Sequence, residues 1–169
     1  MMTDSAAPRT DRDDGRTRSR RVLLSVTAVV LTAVDLVAKA AAESQLRGGP
    51  SVSLGVLDLR LTRNAGAAFS AGAGLPGWVL LTVTGVITAT VAAFAWRSTS
   101  TASKTMVIGL AVVVAGAVWN LVDRAADGAV TDYLHTGWWP TFNLADVFIT
   151  VGFTVAAVAS LQSETASHP

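Results

Sequence analysis

Four apolar runs, at residues 22–42, 75–96, 106–122 and 144–161, constrain this chain more than any other feature, because each approaches the length a helix needs to cross a bilayer. Hydrocarbon offers no hydrogen bonds to the backbone, so an apolar run that enters it must satisfy its own N–H and C=O groups, as a helix does. The expected fold class is therefore an all-α membrane protein, a four-span transmembrane helical bundle. Composition agrees: 51% of residues are hydrophobic, only 15% are charged, and the mean hydropathy is +0.48.

The chain has no cysteine and two histidines, His135 and His168. A disulfide framework, a thiolate nucleophile, a thiolate metal site and a multi-histidine metal cluster are excluded. Chemistry must rest on carboxylates, hydroxyls, lysine or backbone, and no cofactor is implied.

Charge placement gives the expected topology. Arg9, Arg12, Arg16, Arg18, Arg20 and Arg21 all precede the first run. By the positive-inside rule both termini are expected in the cytoplasm, with the 97–104 link inside and residues 43–74 and 123–143 outside. The uneven charge reads as topology and not as a nucleic-acid signal. Residues 1–21, rich in Arg, Asp, Ser and Thr, are expected to be a disordered cytoplasmic tail. Residues 22–161 form the four-span domain, and residues 162–169 a polar C-terminal tail.

The Arg-rich start, the apolar core and Ala40-Ala41-Ala42 also have the outline of a cleavable signal peptide. Asp35 and Lys39 argue against that reading. They interrupt the segment, share a helix face at i and i+4, and as intramembrane charges should face a protein interior.

Between the first two spans, Val56-Leu57-Asp58-Leu59-Arg60-Leu61-Thr62 alternates apolar and polar residues, which predicts a half-buried strand and a small extracytoplasmic β element. Arg63-Asn64-Ala65-Gly66-Ala67-Ala68-Phe69-Ser70 follows, with small residues suited to turns. Gly85 with Ala89, and Ala111 with Ala115, put small residues at four-residue spacing, where helices can approach closely.

Polar residues crowd the outer ends of the spans. Asn120, Asp123 and Arg124 fall at i, i+3 and i+4 on one helix face. Asn143 and Asp146 have the spacing of a capping box, in which Asp146 would serve the helix end. Asp132, in Thr131-Asp132-Tyr133, together with Asp146 has the other option of a carboxylate pair that shares a proton and activates water. Trp138 and Trp139 read as an interfacial aromatic belt, and His135 as an interfacial side chain.

Asp35 with Lys39, Asn64-Ala65-Gly66-Ala67-Ala68-Phe69, Asn120-Leu121-Val122-Asp123-Arg124, Thr131-Asp132-Tyr133 and Phe142-Asn143-Leu144-Ala145-Asp146 occur in an order and spacing that resembles lipoprotein signal peptidase, also called signal peptidase II. The match spans residues 22–161. The resemblance implies an intramembrane aspartic protease of the cell membrane that removes the signal peptide of prolipoproteins, cutting before a cysteine that carries diacylglycerol. Asp132 and Asp146 match the family's catalytic pair. Asp35, Lys39, Asn64, Asn120, Asp123, Arg124 and Asn143 match its motif positions around the site, and residues 43–74 its extended outer element. Membrane lipid, diacylglyceryl-modified prolipoproteins and the inhibitor globomycin are the implied partners. The site should lie toward the outer leaflet. One departure is visible: Trp119 stands where the family usually has Gly before Asn, and Gly116 or Ala115 is expected to make room for it. A small carrier subunit, with Asp35, Lys39 and Asp146 relaying ions or protons, is the alternative. It would need polar groups near the midplane, and the inner halves of the runs are almost free of charge. The Gly-x-Gly-Asp motif of prepilin-peptidase-type aspartic proteases is absent.

Overall fold

The computed structural model describes residues 9–66 and 74–165. In chain order the elements are α1 (Arg9–Leu46), β1 (Val52–Ser53), β2 (Asp58–Asn64), α2 (Gly77–Ser98), α3 (Lys104–Asp127), β3 (Val130–His135) and α4 (Leu144–Thr165). Among the described residues these four helices are each long and apolar enough to cross a membrane. The fold class is as expected, a mostly helical four-span bundle with a small antiparallel sheet.

Helix α3 is the centre of the bundle and packs against α1, α2 and α4. Lipid is as apolar as leucine, so spanning helices gain little by hiding hydrophobic surface and must instead approach closely. Gly109 and Gly152 supply that approach between α3 and α4. A Cβ on Gly109 would stand 2.7 Å from the Ala156 amide nitrogen and 2.8 Å from the Gly152 carbonyl oxygen, too near for backbone that cannot swing aside. Ala111 and Ala115 are fully buried as their spacing suggested, but Ala89 is exposed and Gly85 meets only the Leu121 side chain at 3.8 Å. Gly109→Ala should therefore lower stability by about 1–3 kcal/mol, the usual scale of overpacking. Gly85→Ala should be close to neutral. Thermal unfolding of the two variants in one detergent compares them directly.

Helix ends follow local chemistry. Ser103 caps α3 by accepting a hydrogen bond from the Met106 amide, and Gly128 ends it in the left-handed region at φ 73°, its N–H bonded to the Arg124 carbonyl. Helix α1 begins at Arg9, so residues 9–21 are helical, where a disordered tail was expected. The reason lies at the opposite end of the bundle from the sheet. Arg20 donates to the Thr99 and Ser100 carbonyls at 3.3 and 3.4 Å, covering acceptors left bare just past the end of α2, and the Arg21 guanidinium stacks 4.9 Å from the Trp96 ring centre. These contacts fix the first helix where its sequence turns polar. Helix α4 likewise runs on to Thr165, into the expected C-terminal tail.

The sheet has the order β1-β2-β3. Its middle strand starts at Asp58, two residues later than the alternation suggested, because Gly55 turns at φ 93° and a Leu54 N–H to Leu57 carbonyl bond closes the hairpin. The third strand, β3, comes from the connection between α3 and α4. Register pairs Asn64 with Val130, Arg63 with Thr131 and Thr62 with Asp132, then slips by one residue between Thr62 and Leu59. The irregularity matters because strand side chains alternate faces. The end of β2 nearest α3 serves the polar centre, while Leu59 and Leu61 pack with Tyr133 against Ala42 and Leu46 of α1.

Candidate active site

Helix α4 begins with a reciprocal cap. The Asn143 backbone N–H donates to Asp146 Oδ2 at 3.1 Å, and the Asp146 N–H donates back to Asn143 Oδ1 at 3.1 Å. The capping box foreseen from the spacing is thus present. It leaves the second Asp146 oxygen and the Asn143 amide nitrogen for other partners. Asp146 Oδ1 accepts from Asn120 Nδ2 at 2.9 Å, and Asn143 Nδ2 donates to Asp132 Oδ1 at 2.7 Å. Asn143, fully buried, touches both carboxylates that the sequence singled out.

Asn120 reaches Asp146 because α3 and α4 nearly touch one turn earlier. A Cβ on Gly116 would collide with the Ala145 carbonyl oxygen and lie 3.0 Å from Ile149. The space at Gly116 is therefore filled by α4, not by Trp119 as expected from sequence. Trp119 is half-buried, with its indole nitrogen out of solvent.

Four further members of the centre come from α1 and α3. Lys39 Nζ donates to Asn120 Oδ1 at 2.9 Å and pairs with Asp123 at 3.1 Å and Asp35 at 3.4 Å. Asp35 is completely buried and Lys39 is 4% exposed, so neither charge can be offset by water. Asp123 also accepts the Thr131 N–H at 2.7 Å, which ties the start of β3 to the end of α3. Arg124 turns to a different partner, the Gly66 carbonyl, at 2.6 Å. The i, i+3, i+4 triplet therefore shares a helix face yet serves three separate ends.

Strand β2 completes the arrangement. Asn64 sits diagonally across the ladder from Asp132 and donates Nδ2 to its Oδ2 at 3.0 Å, while the Gly66 N–H holds Asn64 Oδ1 at 3.1 Å. Asp132 is 2% exposed. Burial pushes its carboxyl up to about 6, and the charge of Asp146 acts in the same direction, while the N–H donors of Asn64 and Asn143 and the charge of Lys39 pull the other way. Tyr133, next in the strand but on the other face, is pushed up to about 12 by burial and by the charge of Asp35, so its hydroxyl stays neutral.

All nine predicted site residues thus converge in one cluster: Asp35, Lys39, Asn64, Asn120, Asp123, Arg124, Asp132, Asn143 and Asp146. Ala67-Ala68-Phe69 of the second motif lies outside the described residues. Glu43 and Thr131 were missed. Glu43 accepts from Thr131 Oγ1 at 3.3 Å and from Arg63 at 3.2 Å, and Arg63 also reaches Asp127 at 2.7 Å, so this network fastens β2 and β3 to α1 and α3. A signal existed in the alternating charges at four-residue steps, Asp35, Lys39, Glu43 and Arg47, along α1. Trp138 is strongly exposed and meets Trp139 edge-on at 5.4 Å, as an aromatic belt would allow. Among the described residues no group of His, Cys, Asp or Glu has the arrangement of a metal site.

Chemically, two carboxylates held by a common asparagine and fed by amide donors can divide one proton between them and bind a water. The family model described as signal peptidase (SPase) II matches residues 27–162. Lipoprotein signal peptidase of Mycobacterium leprae is 40% identical over 152 residues, covering 85% of this chain and 73% of the relative. That of Rhodococcus jostii is 37% identical over 153 residues (86% and 75%), and that of Mycobacterium avium 38% over 167 (94% and 87%). Two solved bacterial membrane enzymes share the fold: one determined in meso at 2.3 Å has a TM-score of 0.73 and 25% identity over 87% of this chain and 92% of its own. The other, at 1.9 Å, has a TM-score of 0.70 and 26% identity over 82% and 92%. Matched from the first span to the last, this chain belongs to the signal peptidase II family.

Proposed function

We propose that this protein removes the signal peptide from diacylglyceryl-modified prolipoproteins, cutting before the lipidated cysteine, and that it does so as an aspartic endopeptidase with Asp132 and Asp146 as its catalytic pair. The observation that carries the reading is the single buried Asn143, which holds one oxygen of each carboxylate. In the reaction one carboxylate of the pair is ionised and the other protonated. The ionised group takes a proton from water as the oxygen attacks the scissile carbonyl. The protonated group gives its proton to the carbonyl oxygen, forming a gem-diol. Collapse breaks the C–N bond, returns the proton from a hydroxyl and protonates the leaving amine, so the pair is regenerated.

The arginines before the first span support a cytoplasmic N-terminus, with the sheet and the polar cluster toward the outer leaflet of the cell membrane. A substrate anchored there by its diacylglyceryl group holds the scissile bond at that depth. The polar residues gather at one end of the bundle, which does not suit a carrier working from the midplane. The reading is tested with the purified protein in lipid nanodiscs, a diacylglyceryl-modified prolipoprotein and the same proprotein without lipid. Mass spectrometry should detect a free signal peptide from the lipidated form alone, and a globomycin-type cyclic peptide should suppress it. Equal cleavage of both forms, or of neither, would sink the proposal.

A further inference from the structure

The three asparagines of the cluster share a pattern. Each side-chain oxygen is held by a group that can only donate: Asn64 Oδ1 by the Gly66 N–H, Asn143 Oδ1 by the Asp146 N–H and Asn120 Oδ1 by the Lys39 ammonium. Each amide nitrogen is thereby turned toward a carboxylate: Asn64 and Asn143 toward Asp132, and Asn120 toward Asp146. An amide is nearly symmetric in shape, so packing alone does not decide which end faces the carboxylate. An obligate donor does, because a flipped amide would set N–H against N–H on one side and oxygen against carboxylate on the other.

Two of these donors are backbone groups. The third is a side chain. We propose that Lys39 is a positioning residue that fixes the sense of the Asn120 amide, so that its N–H rather than its oxygen faces Asp146. Asp35 and Asp123 act one step further back, as the anions that keep the ammonium in place at 3.4 and 3.1 Å. Lys39 also donates where Asn143 Nδ2 donates, to the same Asn120 oxygen, at 2.9 and 3.2 Å. With Lys39 present that oxygen is doubly committed; without it the weaker of the two contacts alone resists the flip. The proposal rests on Asp132 and Asp146 being the reacting pair.

The experiment is a double-mutant cycle between Lys39→Met and Asn120→Leu in the full chain, read in two ways. Infrared titration of the protonated-carboxyl band follows the carboxylates without turnover, and cleavage of the lipidated prolipoprotein gives kcat and KM separately. Lys39→Met alone should move the midpoint of the band to higher pH and lower kcat about 100-fold, the scale of losing one preorganised donor, with KM little changed. In the Asn120→Leu background, where no amide remains to orient, the same change should add less than about threefold, because residues that act as a unit are not additive. Lys39→Arg, which keeps an obligate donor, should recover part of kcat. If Lys39→Met fails to fold, Asp35→Asn with Lys39→Met keeps the charge balance and enters the cycle in its place. Full additivity of the two substitutions in both readouts overturns the proposal, since Lys39 would then act by its charge alone. A wild type that titrates as expected but cleaves nothing refutes the proposed reaction instead, and the infrared arm still decides the role of Lys39.

Discussion

Asp132→Asn and Asp146→Asn should each abolish cleavage while leaving the protein inserted and folded, and the double variant should be no worse than either single one. Each substitution keeps the side-chain shape and removes one seat for the shared proton, and a pair that works as a unit is disabled by the loss of either member. Asp123→Asn is the contrasting case. Asp123 touches Lys39 and the Thr131 N–H but neither carboxylate of the pair, so this variant should keep measurable turnover.

The pH dependence separates the two aspartates from a mere structural role. Asp132 lies at about 6 in the folded protein and near 3.8 when unfolded, a raised value. A raised carboxyl stabilises the fold most when protonated: its contribution is complete below about pH 4 and is lost as pH rises through about 6. Wild type should therefore gain up to about 2 kcal/mol on acidification from pH 7 to pH 4 from this group, a gain that Asp132→Asn lacks. Chemical unfolding at the two pH values measures it. The cleavage profile should be bell-shaped, with one limb near pH 6, and its two midpoints belong to the pair.

What the sequence made legible follows from what sequence spacing encodes. Helix spacing marked Asp35 with Lys39 and Asn143 with Asp146, because contacts at i, i+3 and i+4 are local. Both pairs are present. Whether Asp146 was a cap or half of a carboxylate pair could not be decided at that level, since the answer is that Oδ2 caps while Oδ1 faces Asn120 across a helix interface. The approach of Asn64 to Asp132 depends on a ladder closed by β3 between segments far apart in sequence, which leaves no local trace. Glycines behave the same way. Gly85 and Gly109 look alike in sequence, yet only Gly109 faces the backbone of another helix. The helical start of α1 was missed because its stabilising contacts, from Arg20 and Arg21, reach residues some eighty positions away.

Asn143→Ala should be nearly as damaging as loss of an aspartate, for a different reason. The side chain is fully buried and makes three hydrogen bonds: Nδ2 to Asp132 and to Asn120, and Oδ1 from the Asp146 N–H. Alanine keeps the backbone N–H that serves Asp146 Oδ2, so half of the capping box survives. The side-chain hydrogen bond from the start of α4 to Asp132 is lost, while the backbone bonds of Phe142 to Tyr133 and Leu134 remain. Removing a buried cap costs about 1 kcal/mol, and each buried partner left unpaired costs a further 1–3 kcal/mol, so a loss of roughly 3 kcal/mol is expected in detergent. The catalytic loss should exceed it. With Asn143 gone, Asp132 keeps only the Asn64 donor, its negative form is less well supported, and the two carboxylates lose their common fixed point. A fall in kcat of roughly 100- to 1000-fold is the scale for removing one preorganised donor, and here the donor also sets a distance. The limb near pH 6 should move to higher pH, because the hydrogen bond that lowered the Asp132 carboxyl is absent. Asn143→Asp retains the cap and adds a third negative charge beside the pair, so it should restore stability at acid pH without restoring turnover. If Asn143→Ala kept near-normal kcat while losing stability, Asn143 would be a helix cap only, and the two carboxylates would be aligned by Asn64 and Asn120 without it.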